Sequence, residues 1–264
     1  MIDIGANLTH DSFDDDRDTV IAEAKDVGVN TFIITGSDLT CSQKAIQLAH
    51  QYPDCCYATA GIHPHHAKDY NQSVSAELQE LLHDKKVVAV GETGLDYFRD
   101  FSPRPQQIKS FEGHIEWAIE TGLPMFLHQR DAHVDFLPIL KQYRDQLSDV
   151  VVHCFTDSQQ ALYDYLDLDC YIGITGWICD ERRGTHMKAF MQDIPADRLM
   201  IETDAPYLSP HPNRSKRPNQ PAWVVLTAEC LAETRGTPLS EFAELTTRNA
   251  RRLFNRLPSN ESCS

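Results

Sequence analysis

Val87-Val88-Ala89-Val90-Gly91 is a run of apolar β-formers, followed at once by Glu92-Thr93-Gly94-Leu95-Asp96 with its two carboxylates. A strand with one wet face alternates apolar and polar residues, so an unbroken apolar run belongs to a parallel strand covered on both sides. The signature recurs at Ile2–Gly5, Thr31–Thr35, Tyr57–Gly61, Met125–His128, Val150–His153, Tyr171–Ile174 and Leu199–Glu202. Between these runs the apolar residues take helical spacing, as in Val20-Ile21-Ala24-Val27 and Phe111-Ile115-Ala118-Ile119. Gly28 and Gly122 fall where helix C-caps are expected.

Eight strand–helix units in 264 residues predict an α/β chain, a closed (β/α)8 TIM barrel, for which ~250 residues is typical. The rival, a doubly wound open sheet, lacks its Gly-rich phosphate loop after the first strand. With no repeat, linker or low-complexity tract, residues 1–264 read as one domain. Leu257 to Ser264 is expected to be a frayed tail, and Pro206 to Pro221 a long loop over a site.

Composition narrows the function. The chain is 41% hydrophobic and 24% charged, and no apolar run approaches the ~20 residues of a membrane span. Met1-Ile2-Asp3-Ile4-Gly5 lacks the basic and apolar segments of a secretory signal, so the expectation is a cytoplasmic protein without membrane contact. Eight cysteines without a C-x-x-C pair exclude thiolate zinc fingers and read as reduced core residues. A net charge of −15 speaks against a broad basic surface that coats nucleic acid. An enzyme gripping a few nucleotides at a metal centre remains possible, because the cation supplies the local positive charge.

The polar, metal-capable residues gather at strand ends. Strand three ends in Gly61-Ile62-His63-Pro64-His65, strand four in Gly91-Glu92-Thr93-Gly94-Leu95-Asp96 and strand five in Phe126-Leu127-His128-Gln129-Arg130-Asp131. Strand six ends in Val152-His153-Cys154-Phe155 and strand eight in Ile201-Glu202-Thr203-Asp204-Ala205-Pro206. In a parallel barrel these ends share one rim, where barrel enzymes keep their active sites. Glu92, His128, His153 and Asp204 would supply two carboxylates and two imidazoles, an open set suited to a divalent metal. Any one of them alone reads as an ordinary polar residue, but burying all of them unpaired would be costly, and a cation offsets that cost.

These motifs, with Glu202-Thr203-Asp204-Ala205-Pro206-Tyr207-Leu208, resemble in kind and order those of the TatD family of metal-dependent deoxyribonucleases. The stretch from Gly173 to Gly184 resembles the family's exonuclease branch. The resemblance implies a barrel of the metal-dependent hydrolase superfamily and a magnesium-assisted 3′ to 5′ exonuclease. Its substrates would be single-stranded DNA and RNA ends, with a role in clearing damaged DNA. It also implies Glu92, His128 and His153 as metal ligands, with Asp204 as a further ligand or as the base that orients the attacking water. Most relatives carry His-x-His after the first strand, where this chain has Asn7-Leu8-Thr9, so a permanent second metal is not expected.

On this reading a metal-activated water attacks the phosphodiester and Asp204 takes its proton. His63 and His65 are candidates for contact with the phosphate, His63 ahead of His65. Arg130 is either a phosphate clamp or the partner of Asp131 or another rim acid. Glu202 is a candidate for orienting a ligand histidine. Arg182, Arg183, Arg214, Lys216 and Arg217 read as a basic lip or as a solvated face, and Trp177 and Tyr207 as base stackers or packing. Cys154 is expected to face away from His153 and to be structural. Mn2+ and Zn2+ suit histidine ligation at least as well as Mg2+. A monomer is expected. The alternatives are a metal-dependent amidase, lactonase or deacylase and a non-catalytic barrel scaffold.

Overall fold

Eight parallel strands stand side by side in chain order: β1 (Ile2–Ala6), β2 (Thr31–Ile34), β3 (Cys56–Ala60), β4 (Val87–Asp96), β5 (Met125–Arg130), β6 (Val150–Val152), β7 (Tyr171–Ile174) and β8 (Leu199–Ile201). The computed structural model describes residues 1–181, 184–210 and 218–258. The ring closes where β8 returns to β1. Asp204 N–H donates to the Gly5 carbonyl at 2.8 Å and Asn7 N–H to the Ala205 carbonyl at 2.7 Å, around the bridge Ala6–Ala205. Buried Asp3 adds bonds from the Thr203 amide (2.9 Å) and hydroxyl (2.5 Å). This is the expected (β/α)8 barrel.

The helices around it are α1 (Arg17–Asp26), α2 (Leu39–Gln51), α3 (Gln72–Leu81), α4 (Arg104–Thr121), α5 (His133–Tyr143), α6 (Gln159–Asp167), α7 (Thr185–Lys188), α8 (Val224–Arg235) and α9 (Leu239–Leu253). Gly28 and Gly122 follow α1 and α4 with positive φ, as expected. Among the described residues no helix is long and apolar enough to cross a membrane. Asn219, fully buried, ties the far end of the long loop after β8 to the Thr203 and Tyr207 carbonyls (2.9 and 2.6 Å). The middle of that loop, including Arg214, Lys216 and Arg217, lies outside the described residues, as do Arg182 and Arg183.

Two apolar layers hold the barrel. One lies between strands and helices; the other fills the interior with Ile2, Ile4, Ile33, Tyr57, Phe126, Val151, Tyr171 and Met200. Burying each such side chain contributes about 1.5–3 kcal/mol. The end of α9 joins the inner layer through Leu253, followed by Phe254 and Leu257. Asn249 bonds the Ala196 and Leu199 carbonyls, and Arg256 those of Leu82, Asp84 and Val87, all near strand starts. The barrel therefore has a floor at the end where the strands start. Leu257, expected to begin a frayed tail, is instead buried at 8% exposure; residues 259–264 lie outside the described residues.

Candidate metal centre

Alternation brings the imidazoles to the rim. Phe126 and Val151 lie in the inner layer, so His128 and His153, each two residues further on, leave the sheet on the same side. Met200 and Glu202 repeat the pattern on β8. β6 and β8 stop one residue short of the expected ends, yet the ladder continues. His153 N–H donates to the Leu127 carbonyl (2.9 Å) and Glu202 N–H to that of Ile174 (3.1 Å). Phe126 stacks beneath the His153 ring at 4.3 Å and forms an apolar floor.

Glu92 arrives by a different device. Gly91 pairs with Phe126 and Thr93 with Leu127, which leaves Glu92 as an extra residue in β4, a β-bulge. Two residues later Gly94 pairs with His128 at φ +136°, where a Cβ would run into the His128 carbonyl. Only glycine lets β4 approach β5 this closely.

Three imidazoles face one carboxylate oxygen. Glu92 Oε1 lies 2.8 Å from His153 Nε2, 3.2 Å from His128 Nδ1 and 3.3 Å from His63 Nε2. The outer nitrogens of two rings have their own carboxylates: His128 Nε2 lies 3.1 Å from Asp96 Oδ2, and His153 Nδ1 3.2 Å from Glu202 Oε2. An ionised carboxylate only accepts, so each outer nitrogen carries a proton; a neutral ring then turns its bare nitrogen to Glu92, and a doubly protonated ring donates to it. His128 Nδ1 and His153 Nε2 are then the positions that face Glu92. His63 is set the other way round. Its Nδ1 accepts the His65 amide at 3.1 Å, so its proton sits on Nε2.

The charges are tightly coupled. Burial pushes the Glu92 carboxyl up, but His63 and His153, with hydrogen bonds from His128 and His153, hold it well below the carboxylate range. Burial lowers His153, yet Glu92 and Glu202 raise it well above its ordinary value. His128 is likewise raised by Asp96 and Glu92 against burial, whereas burial holds His63 down at about 4. A second proton on His128 or His153 occupies the place that a cation beside Glu92 would take. Ligand-capable atoms of His63, Glu92 and His128 all lie within 4.8 Å of one another, a mixed nitrogen and oxygen set that fits a divalent metal.

The residues behind this cluster are fixed. Glu202 is fully buried and also accepts the Cys154 amide at 2.5 Å. Its carboxylate fits because Gly5 and Gly173 have no side chain; a Cβ at either would collide with it. Asp96 bonds His65 Nε2 (2.9 Å) and the Arg99 amide (2.8 Å) as well as His128, and these partners hold it well below the carboxylate range against burial.

A family model described as TatD related DNase matches residues 2–255. The chain belongs to the TatD family. Two relatives, each named 3′-5′ ssDNA/RNA exonuclease TatD, are 46% identical. The one from Edwardsiella piscicida aligns over 96% of this chain and 99% of its own, the one from Erwinia tasmaniensis over 97% and 100%. Among solved structures, the TatD homologue YJJV of Escherichia coli K12 superposes with a TM-score of 0.91 at 29% identity, over 98% of both chains.

Just beyond β1, Asn7 turns its amide nitrogen to Asp204 Oδ1 (3.0 Å), and the Thr9 hydroxyl lies beside Cys41 Sγ (3.7 Å). Burial, joined by Glu92 and Glu202 against His153 and Asn7, raises the Asp204 carboxyl to about 7. Arg130 has no carboxylate partner among the described residues; its guanidinium lies between the Phe98 ring (4.5 Å) and the Trp177 ring (5.2 Å). Tyr207 is half exposed and meets His10 edge to face. Cys154 is inert for a reason other than strand alternation: β6 has already ended, and Cys154 turns with φ 48° toward Thr175. Burial raises its thiol well above the ordinary value. The seven described cysteines are all free.

Asp96 is a residue of the site to which the sequence alone assigns no role. The signal was present: Glu92, Gly94 and Asp96 share one face of a strand.

Proposed function

We propose that this chain is a metal-dependent 3′ to 5′ exonuclease that hydrolyses phosphodiester bonds at the ends of single-stranded DNA and RNA. The observation that carries the reading is the pair of carboxylate-backed imidazoles aimed at Glu92 Oε1. Glu92, His128 and His153 would hold the metal, with Asp204 as a further ligand. Mg2+ is the expected ion, Mn2+ and Zn2+ the substitutes. Such an ion supplies Lewis acidity, neutralising charge on the phosphoryl oxygens and acidifying water.

The protein's own groups do the rest. Asp96 and Glu202 keep the outer proton on each ring and fix its orientation. His63, with its proton on Nε2, donates a hydrogen bond to a phosphate oxygen, and His65 supports it from beside Asp96. Asp204, held by the Asn7 side-chain amide at 3.0 Å, accepts the proton released from the attacking water. Arg130, with no carboxylate partner among the described residues, binds the strand through its fixed fork of donors. The same reading takes residues 1–264 as one domain, acting as a cytoplasmic monomer that clears damaged DNA ends.

Digestion of 3′-labelled and 5′-labelled single strands tests this. The 3′ label should appear first as mononucleotide, EDTA should stop its release, and metal add-back should restore it. Release of the 5′ label first would refute the polarity, and hydrolysis that survives EDTA would refute the metal.

A further inference from the structure

A fully buried aromatic ring contributes about 1.5–3 kcal/mol that an exposed one forgoes. Phe98 and Phe101, in the loop between β4 and α4, are 54% and 59% exposed. The loop that carries them is held firmly. Gln107, fully buried, accepts the Asp96 amide (2.8 Å) and donates to the carbonyls of Asp96 (3.2 Å) and Ser102 (2.8 Å). The Ser102 hydroxyl bonds the His65 carbonyl (2.9 Å) and receives the Lys68 amide (3.0 Å). The rings are thus exposed on a fixed scaffold.

Their neighbours tie them to the metal centre. Phe101 stands edge-on to His65 at 4.8 Å; His65 shares Asp96 Oδ2 with His128, which faces Glu92. Phe98 carries the Arg130 guanidinium on its face at 4.5 Å. A chain of net charge −15 gains little from long-range attraction to a polyanion. Stacking on the π-face of a base does not depend on charge and tolerates any sequence.

We infer that Phe98 and Phe101 form a stacking platform for the nucleobases flanking the scissile phosphodiester, with Arg130 bridging from the Phe98 ring to the strand. This rests on the nuclease reading above and adds a base-binding site to it.

The test compares steady-state hydrolysis of a dT20 strand with that of the same strand lacking its last two 3′ bases, by the wild type, Phe98→Ala, Phe101→Ala and Phe98→Trp. In the wild type the abasic end should raise KM at least about fivefold, the lower bound for loss of a single stacked base. Either alanine variant should raise KM for intact dT20 at least about fivefold, with kcat within about twofold. It should also shrink the difference between the two strands, and Phe98→Trp should restore it. Thermal melting matching the wild type would show the variants folded, as expected for exposed positions. A wild type that digests dT20 while both alanine variants keep its KM, or lose kcat alone, overturns the platform. A wild type that digests neither strand overturns the nuclease reading itself.

Discussion

The outer nitrogens of His128 and His153 decide what the inner ones can do. Asp96→Asn and Glu202→Gln each weaken the charge that keeps a ring proton outward, so apparent metal affinity should fall by about 10- to 100-fold. Activity titrated against Mg2+ or Mn2+ measures it. Both shells rest on tertiary geometry: residues 92 to 96 name the carboxylates, but which nitrogen each meets follows from how β4, β5 and β8 lie together. His114 on α4 makes a different point. Its Nε2 accepts the Ile62 amide at 2.9 Å, so its Nδ1 must donate to the Ser110 carbonyl at 2.7 Å, and burial holds the ring at about 4. The folded value lies below the ordinary 6.5, so the unfolded chain takes up the proton first as pH falls. The neutral ring's stability is complete above about pH 6.5 and is lost as pH drops towards 4, by on the order of 3 kcal/mol. Urea midpoints across that window should fall less steeply in His114→Gln than in the wild type.

At the scale of elements, β4 is where chemistry and fold meet. Gly94→Ala puts a Cβ against the His128 carbonyl at a φ of +136°, so we expect a loss of about 3 kcal/mol or more, read from the urea midpoint. All eight strands are legible as apolar runs, and five of them announce the rim by ending in ionisable residues. The bulge at Glu92 is not legible, because an extra residue shows only when β4 is paired with β5. The extension of β4 past Gly91 to Asp96 was hidden for the same reason: Gly94 lets the strand continue because it lies so close to His128 of β5. His63 was legible as a residue but not as a tautomer, since the His65 amide reaches it only once Pro64 has turned the chain.

For the whole molecule, an acidic surface and a cationic centre predict weak salt dependence. If Arg130 and the metal are the main contacts to the strand, one or two phosphates are neutralised. A plot of log(kcat/KM) against log[salt] should then have a slope no steeper than about −1.5, at roughly −0.7 per phosphate. A slope of −4 would require roughly six neutralised phosphates, and with them more contacts to the strand than these two. The layout of the barrel also constrains its birth. Its lower end is stoppered by Leu253, Phe254 and Leu257, which lie almost last in the chain, against Ile2 and Ile4, which lie almost first. A ribosome-bound nascent chain therefore cannot seal its interior until the segment from Leu253 to Leu257 has left the exit tunnel and met Ile2 and Ile4.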